Sequence, residues 1–224
     1  MKKVLFVSVH PDDETLGCGG TILKHKDRGD EIYWLIITAP TINHPYGYSE
    51  EIIRRREKEI GNVSKIYGFN GLISLGFPTQ LLDEVNIRDL IVKINEAITA
   101  IQPQIIYLIN RSDIHSDHKV AFNAIYSCTK NFREPVIERI LMYETLSETE
   151  FSPSLAENAF IPNVFVEISD YIDKKIEIMS VLVNEVMPDN LPRSFSAIKA
   201  LAAYRGSRIG VNYAEAFMLL YEKW

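Results

Sequence analysis

With 224 residues, 46% of them hydrophobic, the chain is long enough to bury one sizeable core, and its length favours a single domain over 1–224. Lys and Arg number 24 against 30 Asp and Glu, a net charge of −6 with the wrong sign for a phosphate-backbone binder, so no nucleic-acid partner is expected. No stretch approaches the roughly 18 to 20 apolar residues that cross a bilayer, and Cys18 and Cys128 lie far apart without CxxC spacing, which disfavours a disulfide framework or a cysteine zinc site and suits a reducing cytoplasm.

The first apolar run, Val4 to Val9, follows Met-Lys-Lys as in a signal peptide, but His10-Pro11-Asp12-Asp13 stops it too early, so it reads as a buried strand. A Gly-containing helical pattern from about Glu14 to Arg28 and a second strand from Ile32 to Thr38 complete a βαβ unit. A charged helix is expected from about Ser49 to Ile66, then a Gly-rich turn and a short strand near Leu72 to Leu75. Apolar residues at helical spacing from Ile87 to Ile101 end before Pro103, and Ile105 to Ile109 is a β-branched run of strand length. Lys119 to Phe132 reads as helix. Arg139 to Tyr143 and Val164 to Ile168 read as strands flanking a Pro-containing loop around 152–162, and the tail reads as mainly helical. This alternation predicts an α/β fold: a Rossmann-like three-layer sandwich with a mostly parallel sheet and ligands at the carboxyl ends of its strands. No repeat, low-complexity tract or linker marks a domain boundary.

Two polar strings follow predicted strands. His10-Pro11-Asp12-Asp13-Glu14 comes after the first, where Asp12 or Asp13 can cap the next helix and His10 can be a turn histidine; alternatively they form a site. Asp113-Ile114-His115-Ser116-Asp117-His118 comes after Ile105 to Ile109, again at the start of a helix. Of five histidines, His10, His115 and His118 fall in these strings, leaving His25 and His44 as expected surface residues. Imidazole plus carboxylate, with an open position for water, suits catalytic zinc, while the absence of thiolates leaves ferrous iron, manganese or cobalt open. Gly17, Gly19 and Gly20 do not match GxGxxG and follow an acidic pair, so they are read as close helix–sheet contacts instead of a dinucleotide site. Most of the charge at Arg54, Arg55 and Arg56 reads as a solvated face with Glu50 and Glu51 nearby. A serine-hydrolase GxSxG is absent.

VHPDDETLGCGG at 9–20, SDIHSDH at 112–118 and YRGSRIGVNYAEAF at 204–217 resemble the LmbE/PIG-L de-N-acetylase family, and the helix carrying Arg54 to Glu59 resembles its Arg- and Glu-bearing second helix. The resemblance implies zinc held by His10, Asp13 and His118. It makes Asp12 the general base toward zinc-bound water, and His115 the group that polarises the scissile carbonyl or protonates the departing amine. It also implies a substrate-binding arginine, for which Arg56 is chosen, an N-acetylated sugar of the N-acetylglucosamine-conjugate type as substrate, and a homo-oligomer. Asp117 either fixes an imidazole tautomer or caps the helix near His118. Glu14 either supports the site or favours the helix dipole. The roles of Tyr204, Arg205, Gly206 and Glu215 stay open. Tyr46 and Tyr48, in the loop from Pro40 to Ser49, suit a sugar-stacking lid or an oligomer contact.

Overall fold

A computed structural model describes every residue except Tyr46, Glu134 and Pro135, so Tyr46 lies outside the described residues. The elements run β1 (Lys3–Ser8), α1 (Asp13–Asp27), β2 (Glu31–Ala39), α2 (Glu50–Tyr67), β3 (Gly71–Pro78), α3 (Ile87–Ile101), β4 (Ile105–Ile109) and α4 (Ser116–Ser127). They continue with β5 (Arg139–Tyr143), β6 (Val164–Glu167), α5 (Ile172–Met179), α6 (Phe195–Ser207) and β7 (Ala214–Glu222). The strands form one sheet in the order β3-β2-β1-β4-β5-β7-β6. β1 to β5 pair in parallel, and β7 lies antiparallel between β5 and β6. The architecture is the expected three-layer α/β sandwich: α1 packs with α2 and α5 in one layer, and α3 with α4 in another.

Strand order reverses between β1 and β4, the two strands after which the polar strings come. Their register pairs Val4 with Ile105 and Phe6 with Tyr107, so both strands end at the same level and their following loops face one crevice. The runs Val4 to Val7 and Ile106 to Ile109 are buried throughout, as helices on both faces of a parallel sheet require.

The tail departs from expectation: α5 and α6 are helical, but 214–222 forms β7. Ala, Glu, Met and Leu are good helix formers, and here two neighbouring strands, β5 and β6, offer backbone pairing that outweighs propensity. α4 also ends earlier than expected, at Ser127. His25 and His44, expected at the surface, are both buried. His25 Nδ1 lies 2.8 Å from Asp30 Oδ2 and Nε2 3.0 Å from the Tyr107 hydroxyl, so partners on both nitrogens compensate its burial. His44 Nε2 is 2.8 Å from the Thr79 carbonyl.

The glycines of α1 are close-packing positions. A Cβ on Gly17 would stand 2.2 Å from Tyr143 Cδ2 and 2.9 Å from the Glu144 carbonyl, and one on Gly20 would stand 2.5 Å from Ile168 Cγ2. Tyr143 cannot yield easily, because it is fully buried and its hydroxyl donates to the Val7 carbonyl at 2.7 Å. Gly17→Ala is therefore expected to destabilise by about 1–3 kcal/mol. Thermal denaturation should then show a melting point lower by several degrees; an unchanged one would contradict the packing account.

Candidate metal centre

Asp13 opens α1 and folds the preceding loop around its carboxylate. Oδ2 accepts the backbone N–H of Val9 at 2.8 Å and of His10 at 2.9 Å, which leaves Oδ1 facing His118 Nε2 at 3.5 Å. His118 sits in the first turn of α4, fully buried, with Nδ1 2.8 Å from Asp113 Oδ2. Asp113 is itself held on Oδ1 by the Asn110 amide at 2.8 Å and the Thr149 hydroxyl at 2.6 Å. His10 places Nε2 3.1 Å from Asp117 Oδ2 and Nδ1 3.4 Å from His118 Nε2. Each of the three side chains thus spends its outer atom on a fixed partner and turns the other inward.

These inward atoms, on His10, Asp13 and His118, lie within 4.8 Å of one another. Two imidazole nitrogens and a carboxylate oxygen at such separation repel unless a proton or a cation lies among them. In the metal-free protein a proton does this work. Burial pulls the His118 pKa down, but the Asp13 and Asp113 carboxylates outweigh it and raise it to about 9. The donor set, and the carboxylates buttressing both imidazoles, suit a divalent cation such as zinc. A second grouping, His10 with His115 and Asp117, fits less well. Asp117 already accepts the Gln80 N–H at 2.6 Å and the Leu82 N–H at 3.1 Å besides facing His10, and His115 Nδ1 accepts the Asp117 N–H at 3.1 Å. Asp117 thus orients an imidazole, and the residue capping α4 is His115.

Because Asp113 holds the outer nitrogen of His118, Asp113→Asn is expected to weaken binding of a divalent cation by about 10- to 100-fold. Titration of metal-depleted protein with zinc checks this; unchanged affinity would remove Asp113 from the site.

Asp12 is the N-cap residue of α1 by position, yet its side chain makes no capping hydrogen bond. It lines the pocket, and burial followed by the Asp13 charge pushes its carboxyl above the usual range, against the pull of Arg56, Arg193 and His10. His115 also lines the pocket. Burial, then the neighbouring His10 and His118, lowers its pKa to about 4. It is therefore neutral at pH 7, and since Nδ1 accepts a backbone N–H, its proton is on Nε2.

The pocket encloses about 330 Å³ and is lined by two of the three converging residues, His10 and Asp13. Of the arginine run, Arg54 is exposed and pairs with Glu50, whereas Arg55 and Arg56 both line the pocket: Arg55 is half-exposed, and Arg56, more buried, pairs with Glu185 and lies 3.4 Å from Glu59. Tyr48 lines the pocket as well. Sequence reading missed Glu185 and Arg193, which reach the pocket from the segment between α5 and α6. Glu14 lies beneath it, fully buried, accepting hydrogen bonds from Ser8 at 2.9 Å and Thr15 at 2.7 Å, and burial raises its pKa to about 8. It stands in the first turn of α1, where the sequence reading put it. The C-terminal residues are not among those lining the pocket. Glu215 accepts the Gly20 and Thr21 N–H groups at 2.9 and 2.7 Å and pairs with buried Lys175 at 2.7 Å, anchoring α1 from behind. Arg205 pairs with Glu144, and Tyr204 is exposed.

Fold and cluster together define a doubly wound α/β protein with a His/Asp/His cluster that could hold a cation at the switch point of its sheet. The chain belongs to the PIG-L family, described as GlcNAc-PI de-N-acetylase, whose sequence model matches residues 5–129 and so spans both polar strings. It is 24% identical to a probable N-acetyl-alpha-D-glucosaminyl L-malate deacetylase 2 of Bacillus anthracis, across 79% of this chain and 78% of that protein. It is 26% identical to the diacetylchitobiose deacetylase of Thermococcus kodakarensis, across 96% and 82%. The crystal structure of a conserved protein from Thermus thermophilus superposes with a TM-score of 0.77 at 26% identity, covering 100% of this chain and 97% of that one.

Proposed function

We propose that the chain is a metal-dependent hydrolase that deacetylates an N-acetyl amino sugar of the N-acetylglucosamine-conjugate type. The observation that carries this reading is the convergence of His10, Asp13 and His118, two of which, His10 and Asp13, line a pocket that also contains Asp12 and His115. A free carboxylate beside a complete ligand set is what hydrolysis needs and a purely structural metal site does not. Family membership and the deacetylase names of the relatives support the same reaction.

His10, Asp13 and His118 would hold the cation, zinc in this reading, with ferrous iron or another divalent metal as alternatives. Such a cation supplies Lewis acidity, polarising an amide carbonyl and lowering the pKa of water. Asp12 takes the proton from the attacking water. His115, neutral with its proton on Nε2, donates a hydrogen bond to the oxygen on which negative charge develops. Protonated Asp12 then returns its proton to the departing amine, so that water and amide become acetate and free amine without a covalent enzyme intermediate. Arg56 contacts the sugar. A single domain over 1–224, a cytoplasmic location and a homo-oligomeric state complete the proposal.

The test is release of acetate and free amine from a panel of N-acetylglucosamine conjugates, by metal-depleted protein reconstituted with zinc and separately with ferrous iron. Metal-dependent release is expected. A protein that binds no divalent cation would end the proposal.

A further inference from the structure

In the wall of the pocket beyond Asp12, two partly buried guanidiniums, Arg56 and Arg193, face two partly buried carboxylates, Glu185 and Glu59. Glu185 pairs with both Arg56 and Arg193: Arg193 reaches its carboxylate at 3.4 Å, donates from Nε to the Glu185 carbonyl at 3.0 Å and from Nη1 to Ser147 Oγ at 2.9 Å. Glu59 faces Arg56 at 3.4 Å and Arg55 at 4.0 Å. Arg56, Arg193 and Glu185 are only 17–18% exposed, so solvent screens them weakly. Among the described residues, five carboxylates and three guanidiniums line the pocket, an excess of two negative charges that one divalent cation cancels.

That arrangement leaves neither Arg56 nor Arg193 unpaired for an anionic ligand, and the third guanidinium, Arg55, is half-exposed and screened by solvent. A substrate carboxylate or phosphate would have to share a guanidinium with Glu185 or Glu59, which brings like charges together where solvent screens them weakly, or prise it away and leave a partly buried carboxylate unpaired. A hydroxyl meets no such obstacle, because it accepts from a remaining guanidinium N–H and donates to a carboxylate oxygen at once. We infer that the substrate beyond its acetylated sugar ring is uncharged and hydroxyl-bearing, and that Glu185 determines this selectivity. The inference rests on the deacetylase reading and narrows it. The two curated relatives differ in this property, one being named for a malate conjugate and the other for a disaccharide.

The test compares calorimetric binding of diacetylchitobiose and N-acetylglucosaminyl malate to zinc-loaded Asp12→Asn protein, in which turnover is suppressed. Loss of the Asp12 charge favours the anion, so the comparison is biased against the proposal. The uncharged disaccharide is expected to bind at least about tenfold more tightly. Adding Glu185→Gln should narrow the ratio severalfold by strengthening the anion. Should that variant fail to fold by circular dichroism, Glu59→Gln decides instead, since removing the other carboxylate that faces Arg56 must narrow the same ratio. Tighter or equal binding of the malate conjugate, binding of neither, or a ratio insensitive to both Glu185→Gln and Glu59→Gln overturns the inference. Tight binding of the disaccharide with no amine release by zinc-loaded wild-type protein overturns the deacetylase reading on which the inference rests, whereas amine release with equal binding of the two ligands overturns the inference alone.

Discussion

Replacing Asp12 with Asn is expected to lower kcat by about 10²- to 10⁴-fold while cation affinity stays within a few-fold of wild type. Asn preserves the shape of the side chain but cannot take a proton. Asp12 is also not one of the three residues whose inward atoms converge, so the cation should remain. The raised pKa of Asp12 has the direction a base needs, because burial makes the charged form less comfortable and proton uptake more favourable. Measuring kcat by amine release and bound metal by atomic absorption on the same preparations separates the two roles. A variant that loses its metal together with its turnover would place Asp12 among the ligands and undo the division of labour between adjacent aspartates.

That division was legible in the sequence only through family resemblance, since residue types alone cannot say which of Asp12 and Asp13 turns inward. The backbone decides it: Asp13 is the first residue of α1, and the N–H groups of Val9 and His10 converge on its Oδ2. Much of the fold could be read directly, because doubly covered parallel strands are uninterrupted Val, Ile and Leu runs, and charged strings placed just after them stand out. β7 escaped because its residues favour helix and its partners are distant in sequence. Glu185 and Arg193 escaped for a related reason. They lie in an irregular segment with no periodicity, and what makes them matter is Arg56, 129 residues from Glu185. His25 carried a fainter signal: α1 is buried along most of its length, so an interior position for a histidine near its end could have been considered. His44 carried none.

The second large effect belongs to His118. His118→Ala removes an inward nitrogen and leaves Asp113 buried without its imidazole, so cation affinity should fall by more than the roughly 10- to 100-fold expected when only the supporting carboxylate is lost. Turnover at limiting metal should fall in step, whereas Asp12→Asn separates the two. The same residue fixes how pH acts on the metal-free protein. Its folded pKa of about 9 stands above the ordinary 6.5, so its protonated form contributes stability that is fully present below pH 6.5 and lost as pH rises through about 9. A cation must displace that proton to reach Nε2, so its apparent affinity should climb as pH rises toward 9 and level off above it, with proton release on binding. Zinc titrations in buffers of differing ionisation enthalpy measure that release. An affinity flat between pH 6.5 and 9, or a His118→Ala protein that binds zinc as tightly as wild type, would show that the cation is not held by this nitrogen.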